Sequence, residues 1–270
     1  MICFPNCKIN IGLYVINKRA DGFHDLETVF YPLQICDALE VIGSEVFGLK
    51  TYGILIKSDE QNNLVWKAYS LLQEKLPNKI KPLDVHLLKN IPTGAGLGGG
   101  SSDGAHMLLL MNNYYKLGLS KNQLAELALQ LGSDCPFFIY NIPQFAKGRG
   151  EIMNSVDLDL SKYSIQLICP EVHISTAEAF KMIEPQAAPF DLRKVNELPI
   201  ELWKEYISND FELPVFAKHP EIKVIADQLY QQGAIYASMT GSGSAVYGIF
   251  NKGEKATITG VHSFKSYYIK

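Results

Sequence analysis

Between Pro92 and Asp103 the chain reads Pro-Thr-Gly-Ala-Gly-Leu-Gly-Gly-Gly-Ser-Ser-Asp, with glycine at 94, 96, 98, 99 and 100. A strand-like segment, 83–88, precedes it, and a helix-like pattern through Ala105, Leu108, Leu109 and Asn112 follows. Glycines in such a place let backbone amides approach an anion with no Cβ in the way. The helix start behind them adds unpaired N–H groups and roughly +0.5 of dipole charge. Ser101 and Ser102 bring hydroxyl donors to the same end. A di- or triphosphate is the natural guest. A flexible or tightly packed loop with no ligand is the competing reading, and the entropic cost of so many glycines stands against it.

Three familiar patterns fit the letters but not the setting. Gly94-Ala-Gly96-Leu-Gly98-Gly99 satisfies the dinucleotide fingerprint, which belongs in the first βα turn of a regular βαβ unit; here it lies a third of the way in, and 118–131 downstream reads as turn and helix. Gly100-Ser-Ser102-Asp-Gly104 satisfies the hydrolase nucleophile elbow, but a loop rather than a sharp turn separates Leu88 from Ser102. A P-loop requires Lys after the last glycine, and Ser101 stands there. If this loop binds ATP, its cation comes from elsewhere in the chain.

The 270 residues predict one or two domains, and 47% hydrophobic with 20% charged residues excludes wholesale disorder. Net charge is −3 and the longest basic run is Lys18-Arg19, so no nucleic-acid footprint is legible. Cys3, Cys7, Cys36, Cys135 and Cys169 are odd in number, scattered, and not in zinc spacing; they read as reduced thiols of a cytosolic protein. Met1-Ile-Cys-Phe-Pro5 lacks a charged signal-peptide region, and no apolar run approaches the ~20 residues of a membrane helix. A soluble cytoplasmic protein is expected.

Strand character is expected over 8–16, 26–35, 38–42, 52–57, 83–88, 164–170, 235–239 and 245–250. Helices are expected after Asn62-Asn63, through Leu64, Ala68, Leu71, Leu72 and Leu76, and after capping boxes at Ser120–Gln123 and Ser175–Glu178. Another opens at Pro220 and closes with Gly233 at C′. Strands and helices mix without regular alternation, so an α+β fold with two halves is expected, divided as 1–153 and 154–270.

Phosphoryl transfer needs the phosphate held, its charge neutralised and the acceptor hydroxyl relieved of its proton. A carboxylate base kept ionised by a nearby cation suits that task. Lys8 lies inside the apolar run Cys7-Lys-Ile-Asn-Ile11, a costly place for a cation without a role or a partner. Asp134 lies in Leu131-Gly-Ser-Asp-Cys-Pro-Phe-Phe138, where it serves equally well as the cap of a short helix with Pro136 in its first turn. Phe23-His24 offers a stacking ring beside a neutral donor/acceptor imidazole, and suits a half-buried turn equally well.

Pro5-Asn-Cys-Lys-Ile-Asn10, the glycine-rich stretch and Met239-Thr-Gly-Ser-Gly-Ser244 resemble the three motifs of the galactokinase, homoserine kinase, mevalonate kinase and phosphomevalonate kinase superfamily. Lys18-Arg-Ala-Asp-Gly-Phe-His24, Leu131–Phe138 and Asn209-Asp-Phe-Glu212 are similar to the branch that acts on a methylerythritol linked to cytidine diphosphate, in non-mevalonate isoprenoid precursor synthesis. The match runs in order from Pro5 to about Phe250, is thin over 155–205 and is absent after 251.

The resemblance implies a two-domain α+β small-molecule kinase with its active site between the domains, the first domain binding ATP and the second completing the substrate site. Asp134 would take the proton from the acceptor's 2-hydroxyl, and Lys8 would hold Asp134 ionised. Pro92, Thr93, Gly94, Ala95, Gly96, Leu97, Gly98, Gly99, Gly100, Ser101 and Ser102 would wrap the ATP phosphates, with Asn63 and Lys89 near the adenine. Asn10, Phe23, His24 and Phe180 would shape the cytidine pocket, with the base between the two rings. Mg²⁺ is expected as the ATP counter-ion, with no ligand assigned. Cys7 and Gly104 stand where the family commonly has Ala, and Phe23 where Tyr is frequent. Kinases of the same superfamily for mevalonate or homoserine, and an ATP-binding module without catalysis, are the alternatives.

Overall fold

The structure, a computed structural model, describes residues 1–55 and 59–270. In chain order the first strands are β1 (Ile2–Cys3), β2 (Asn6–Lys18), β3 (His24–Cys36), β4 (Ala38–Gly43) and β5 (Gly48–Gly53). Next come α1 (Leu64–Lys75), β6 (Leu83–Lys89), α2 (Gly99–Tyr114), α3 (Lys121–Leu131) and α4 (Cys135–Tyr140). The rest runs β7 (Gln144–Gly148), β8 (Ile152–Ser155), β9 (Tyr163–Pro170), α5 (Thr176–Lys181), α6 (Trp203–Tyr206), α7 (Glu212–Lys218), α8 (Pro220–Gln231), β10 (Tyr236–Met239), β11 (Val246–Asn251) and β12 (Phe264–Ile269). The α+β expectation is met. The strand expected over 52–57 is met only at 52 and 53, the end of β5, and its positions 56 and 57 lie outside the described residues.

The described strands form three sheets of four, ordered β1-β4-β6-β5, β2-β3-β7-β8 and β10-β11-β9-β12. The chain has two compact units interleaved in sequence. The first holds Met1–Lys8, Pro32–Thr93 and Gly98–Ile142; the second holds Ile9–Tyr31, Gly94–Leu97 and Pro143–Lys270. Two consecutive stretches divided at 153/154 describe the chain differently. The physical reason for the interleaving is length: β2 and β3 each run 13 residues, long enough to begin in one unit and end in the other.

In the first unit, β6 alternates: Leu83, Val85, Leu87 and Lys89 are buried, whereas Asp84, His86 and Leu88 are not. α2 packs on β1 and β4 and against α1, α3 and α4. Asn63 caps α1 by accepting the Val65 amide at 2.9 Å. Ser120 and Gln123 form the expected capping box of α3. Gly104, in the second turn of α2, is a packing glycine: a Cβ there would stand 2.8 Å from Cβ of Leu64 at the start of α1.

In the second unit, α8 covers β10 and β11, burying Ile222, Ile225 and Leu229. Pro220 opens it, and Gly233 follows its end at φ +97°. The capping box expected at Ser175–Glu178 is not formed. Ser175 is the N-cap of α5 but its side chain makes no cap hydrogen bond, in a helix of only six residues.

Candidate active site

The first unit brings Lys8 and Asp134 together. Lys8 Nζ stands 3.8 Å from Asp134 Oδ2, the lysine side chain 4% exposed and the carboxylate 36%. Burial pushes the Lys8 ammonium below its ordinary value, and the Asp134 carboxylate opposes that. Asp134 occupies the N-cap position of α4 with proline in the first turn, as the capping alternative requires, yet its side chain makes no capping hydrogen bond. The carboxylate faces the lysine and solvent instead.

α2 begins at Gly99, with Gly98 as its N-cap at φ +69°. The loop after β6 is therefore 90–98, and Ser102 lies inside the first helical turn, which removes the hydrolase-elbow geometry. The Ser102 amide bonds Gly98 O at 2.9 Å, so the amides of Gly99, Gly100 and Ser101 are the ones without a helical acceptor. A Cβ on Gly98 would stand 3.0 Å from Phe138 Cζ and 3.3 Å from Lys8 Cε, so the loop end, the α4 ring and the lysine stem are in close packing. Gly100 is exposed, with nothing within 4 Å of a Cβ there. Side chains would fill this cradle at Gly98 and Gly99 and leave it open at Gly100, and it fits polyphosphate oxygens.

Ser102 differs from expectation. It is fully buried, and its Oγ lies 3.2 Å from His106 Nδ1, so its hydroxyl is turned into the unit. Lys89 differs too. Its ammonium lies between the carboxylates of Asp37 and Asp103, and its side chain is 1% exposed. Sequence reasoning missed both aspartates. The signal was parity: Asp37 is two residues before Leu39 and four before Val41, the inward positions of β4.

In the second unit, Gly96 sits at φ +78°, and a Cβ there would overlap the Thr240 carbonyl. Thr240 Oγ1 donates to Asn10 Oδ1 at 3.1 Å and also lies 3.3 Å from Gly96 O. Asn10 Nδ2 donates to Thr28 Oγ1 at 3.0 Å, so its amide, expected at the substrate, is held by two threonines and is 3% exposed. Asn209 Nδ2 donates to Met239 O and Gly241 O at 2.8 and 2.9 Å, and Glu212 Oε1 accepts from Ser238 Oγ and the Met239 amide, both at 2.7 Å. The segment Asn209–Glu212 thus pins the strand end and turn whose Thr240 carbonyl Gly96 lies against. These supports are invisible to periodicity.

His24 and Phe180 stack on one another, centroids 4.8 Å apart and planes within 14°, and Phe180 meets Phe211 edge-on at 4.9 Å. A base entering between His24 and Phe180 needs about 7 Å, twice a carbon contact distance. Phe23 is 54% exposed, with the Arg149 guanidinium 5.0 Å over its ring. Arg149 was not singled out by any sequence signal. No helix among the described residues is long and apolar enough to cross a membrane.

Two family models match this chain: GHMP kinases N terminal domain over 63–141 and GHMP kinases C terminal over 192–260. A 4-diphosphocytidyl-2-C-methyl-D-erythritol kinase of Parabacteroides distasonis is 48% identical over 252 residues, 93% of this chain and 92% of its own length. The enzyme of the same name from Bacteroides thetaiotaomicron is 50% identical, covering 93% and 92%. A crystal structure of 4-(cytidine 5'-diphospho)-2C-methyl-D-erythritol kinase matches with TM-score 0.75 and 31% identity, over 92% of this chain and 90% of that one. Methanococcus jannaschii mevalonate kinase shares the fold, with TM-score 0.71 at 16% identity, covering 94% and 92%. The glycine-rich helix start and the Lys8–Asp134 pair therefore lie in a chain with full-length relatives at about half identity, and on that evidence it belongs to the 4-diphosphocytidyl-2-C-methyl-D-erythritol kinase family of the GHMP kinases.

Proposed function

We propose that this chain is an ATP-dependent kinase that phosphorylates the 2-hydroxyl of 4-diphosphocytidyl-2-C-methyl-D-erythritol, releasing ADP, in isoprenoid precursor synthesis. The observation that carries the reading is the Lys8–Asp134 pair at 3.8 Å, with its carboxylate uncapped and partly exposed. Family membership supports the substrate.

In this reading Asp134 accepts the hydroxyl proton as the phosphoryl bond forms, and Lys8 keeps Asp134 ionised beforehand and balances the developing charge. The amides of Gly99, Gly100 and Ser101 hold the phosphates, and 92–98 wraps them. ATP supplies the phosphoryl group. Mg²⁺ serves as its counter-ion; such an ion is held mostly by phosphate oxygens and water. Among the described residues no group of three or more His, Cys, Asp and Glu gathers as a metal cage, and no ligand is assigned. Asn63 remains beside the adenine, at the mouth of α1. Phe23, His24 and Phe180 receive the cytosine, with Asn10 holding the pocket from behind. By role, 1–153 carries nucleotide binding and proton transfer, and 154–270 completes the substrate site through Phe180. Placement of the protein in the cytoplasm belongs to the same reading.

The test is ADP release from ATP and Mg²⁺ with the cytidyl compound, against mevalonate, homoserine and no acceptor. Turnover with the cytidyl compound alone is expected. Turnover with another alcohol keeps the Lys8–Asp134 chemistry and removes the cytidine pocket. ADP from none of them removes the kinase.

A further inference from the structure

Three ionisable side chains meet inside the first unit, and the proposed proton transfer uses none of them. Lys89 Nζ is held by Asp37 and, at 2.6 Å, by Asp103 Oδ2, and each side chain is at most 3% exposed. Their attachments are specific. Asp37 Oδ1 accepts the amides of Asn90 and Ile91, at 2.5 and 2.8 Å, which are the first residues of the glycine-rich loop. Lys89 Nζ lies 3.5 Å from where a Cβ on Gly99 would stand, and Asp103 belongs to the second turn of α2. The loop's entry at Asn90–Ile91 is thereby hydrogen-bonded to the cluster, and its exit at Gly99 starts the helix that carries Asp103.

We propose that Asp103, acting through Lys89 and Asp37, is a positioning residue for the nucleoside triphosphate, fixing the two loop ends and so the amides of Gly99, Gly100 and Ser101 that face its phosphates. The inference rests on the kinase reading above and goes beyond it. One ammonium between two carboxylates is neutral only while one carboxyl keeps its proton, and a buried excess charge is costly. Asp103 is that carboxyl. Burial pushes it up to about 8, against the pull of Lys89 and with a further push from Asp37. Its ionisation adds a full negative charge in the second turn of the helix whose first amides are proposed to hold a polyanion.

Other groups face the cluster. Cys3 of β1 is coupled to Asp103 and pushed up to about 12, chiefly by burial; the Met1 ammonium is coupled in turn to Cys3. Cys36 is coupled to Asp37 and is raised, chiefly by burial. His106, three residues along α2 from Asp103, is lowered by burial. Burial keeps the Cys3 thiol protonated and the His106 imidazole neutral between pH 7 and 9, and the comparison with Asp103→Asn isolates the charge change of Asp103 itself.

The experiment measures ATP affinity calorimetrically, and the KM for ATP and kcat separately, between pH 7 and 9. It uses the full chain with Asp103→Asn and Asp103→Ala, each checked by its melting temperature. Wild-type affinity is expected to fall about tenfold over that range, about 1.4 kcal/mol for one added buried charge near a polyanion. In Asp103→Asn, whose carboxamide bridges Lys89 and Asp37 without titrating, that fall is expected to vanish. In Asp103→Ala the loss is expected in KM for ATP at every pH rather than in kcat. An alkaline fall that persists in Asp103→Asn overturns the proposal, as does an Asp103→Ala defect confined to melting temperature. Wild type that binds no ATP at all overturns the kinase reading and this inference with it, a result recognisable because no variant need be compared.

Discussion

Lys8 and Asp134 approach to 3.8 Å across an asymmetry of solvent: the ammonium is sealed within the first unit while the carboxylate opens outward. A buried ammonium favours the charged form of a carboxylate beside it, and in the proposed mechanism the partly open carboxylate is the one a hydroxyl reaches. Asp134→Asn keeps the shape and removes the proposed base. Its kcat is expected to fall by about 10²-fold or more, and the melting temperature separates that loss from the removal of the charge beside buried Lys8. A wild-type rate takes Asp134 out of the mechanism.

Gly98 and Gly100 make opposite predictions two residues apart. Gly98→Ala puts a Cβ 3.0 Å from Phe138 at φ +69°, so both stability and Lys8 placement suffer, and kcat and ATP affinity are expected to fall together. Gly100→Ala meets nothing within 4 Å, and in a helical position it is expected to stabilise the chain by up to about 1 kcal/mol. Thermal melts of the pair decide: equal destabilisation would mean that the α2 start is not packed as described.

The strands and most helices were legible because burial follows period 2 or 3.6 in β6, α3 and α8, and because Asn63, Ser120, Pro220 and Gly233 punctuate them. The Lys8–Asp134 pair was legible as two oddities, an ammonium in an apolar strand and an acid before Cys-Pro, but only the fold brings them together. What stayed hidden was long-range polar pairing. Lys89 was read by resemblance toward the adenine, whereas its parity with Leu83, Val85 and Leu87 sends it inward to Asp37 and Asp103. Asn10 likewise looked like a substrate contact, and its amide is engaged by Thr28 and Thr240, far away in sequence.

Asn209 has no expected chemistry and a large structural role. Its amide holds two carbonyls and its Oδ1 accepts the Phe211 amide at 3.0 Å, all buried. Asn209→Ala strands these groups and is expected to cost about 2–3 kcal/mol. Denaturant titration checks this; a change within about 0.5 kcal/mol would show that the 240–244 turn holds its shape without Asn209.

Phe180 stacks on His24 rather than standing apart from it. Phe180→Ala removes the ring that stacks on His24, a face of the proposed cytidine pocket. The KM for the cytidyl acceptor is expected to rise about tenfold, as for the loss of one stacked ring, with the KM for ATP unmoved. A shift in the ATP term alone would assign Phe180 to the other substrate.

His106 contributes to the pH dependence of stability on the acid side. Its ring is largely buried on α2, with Nδ1 2.9 Å from Ser102 O, the neutral tautomer donating to that carbonyl. Burial lowers it from the ordinary 6.5, and the Ser102 hydrogen bond only partly opposes this. The unfolded chain therefore binds a proton at pH values where the folded chain does not. Stability from this group is full above pH 6.5 and is lost as pH falls from there toward the lower folded value. His106→Gln, which cannot titrate, is expected to lose less stability than wild type between pH 7 and 5.5 in urea melts, whatever its stability at neutral pH. Parallel curves for the two proteins would mean that His106 titrates alike folded and unfolded.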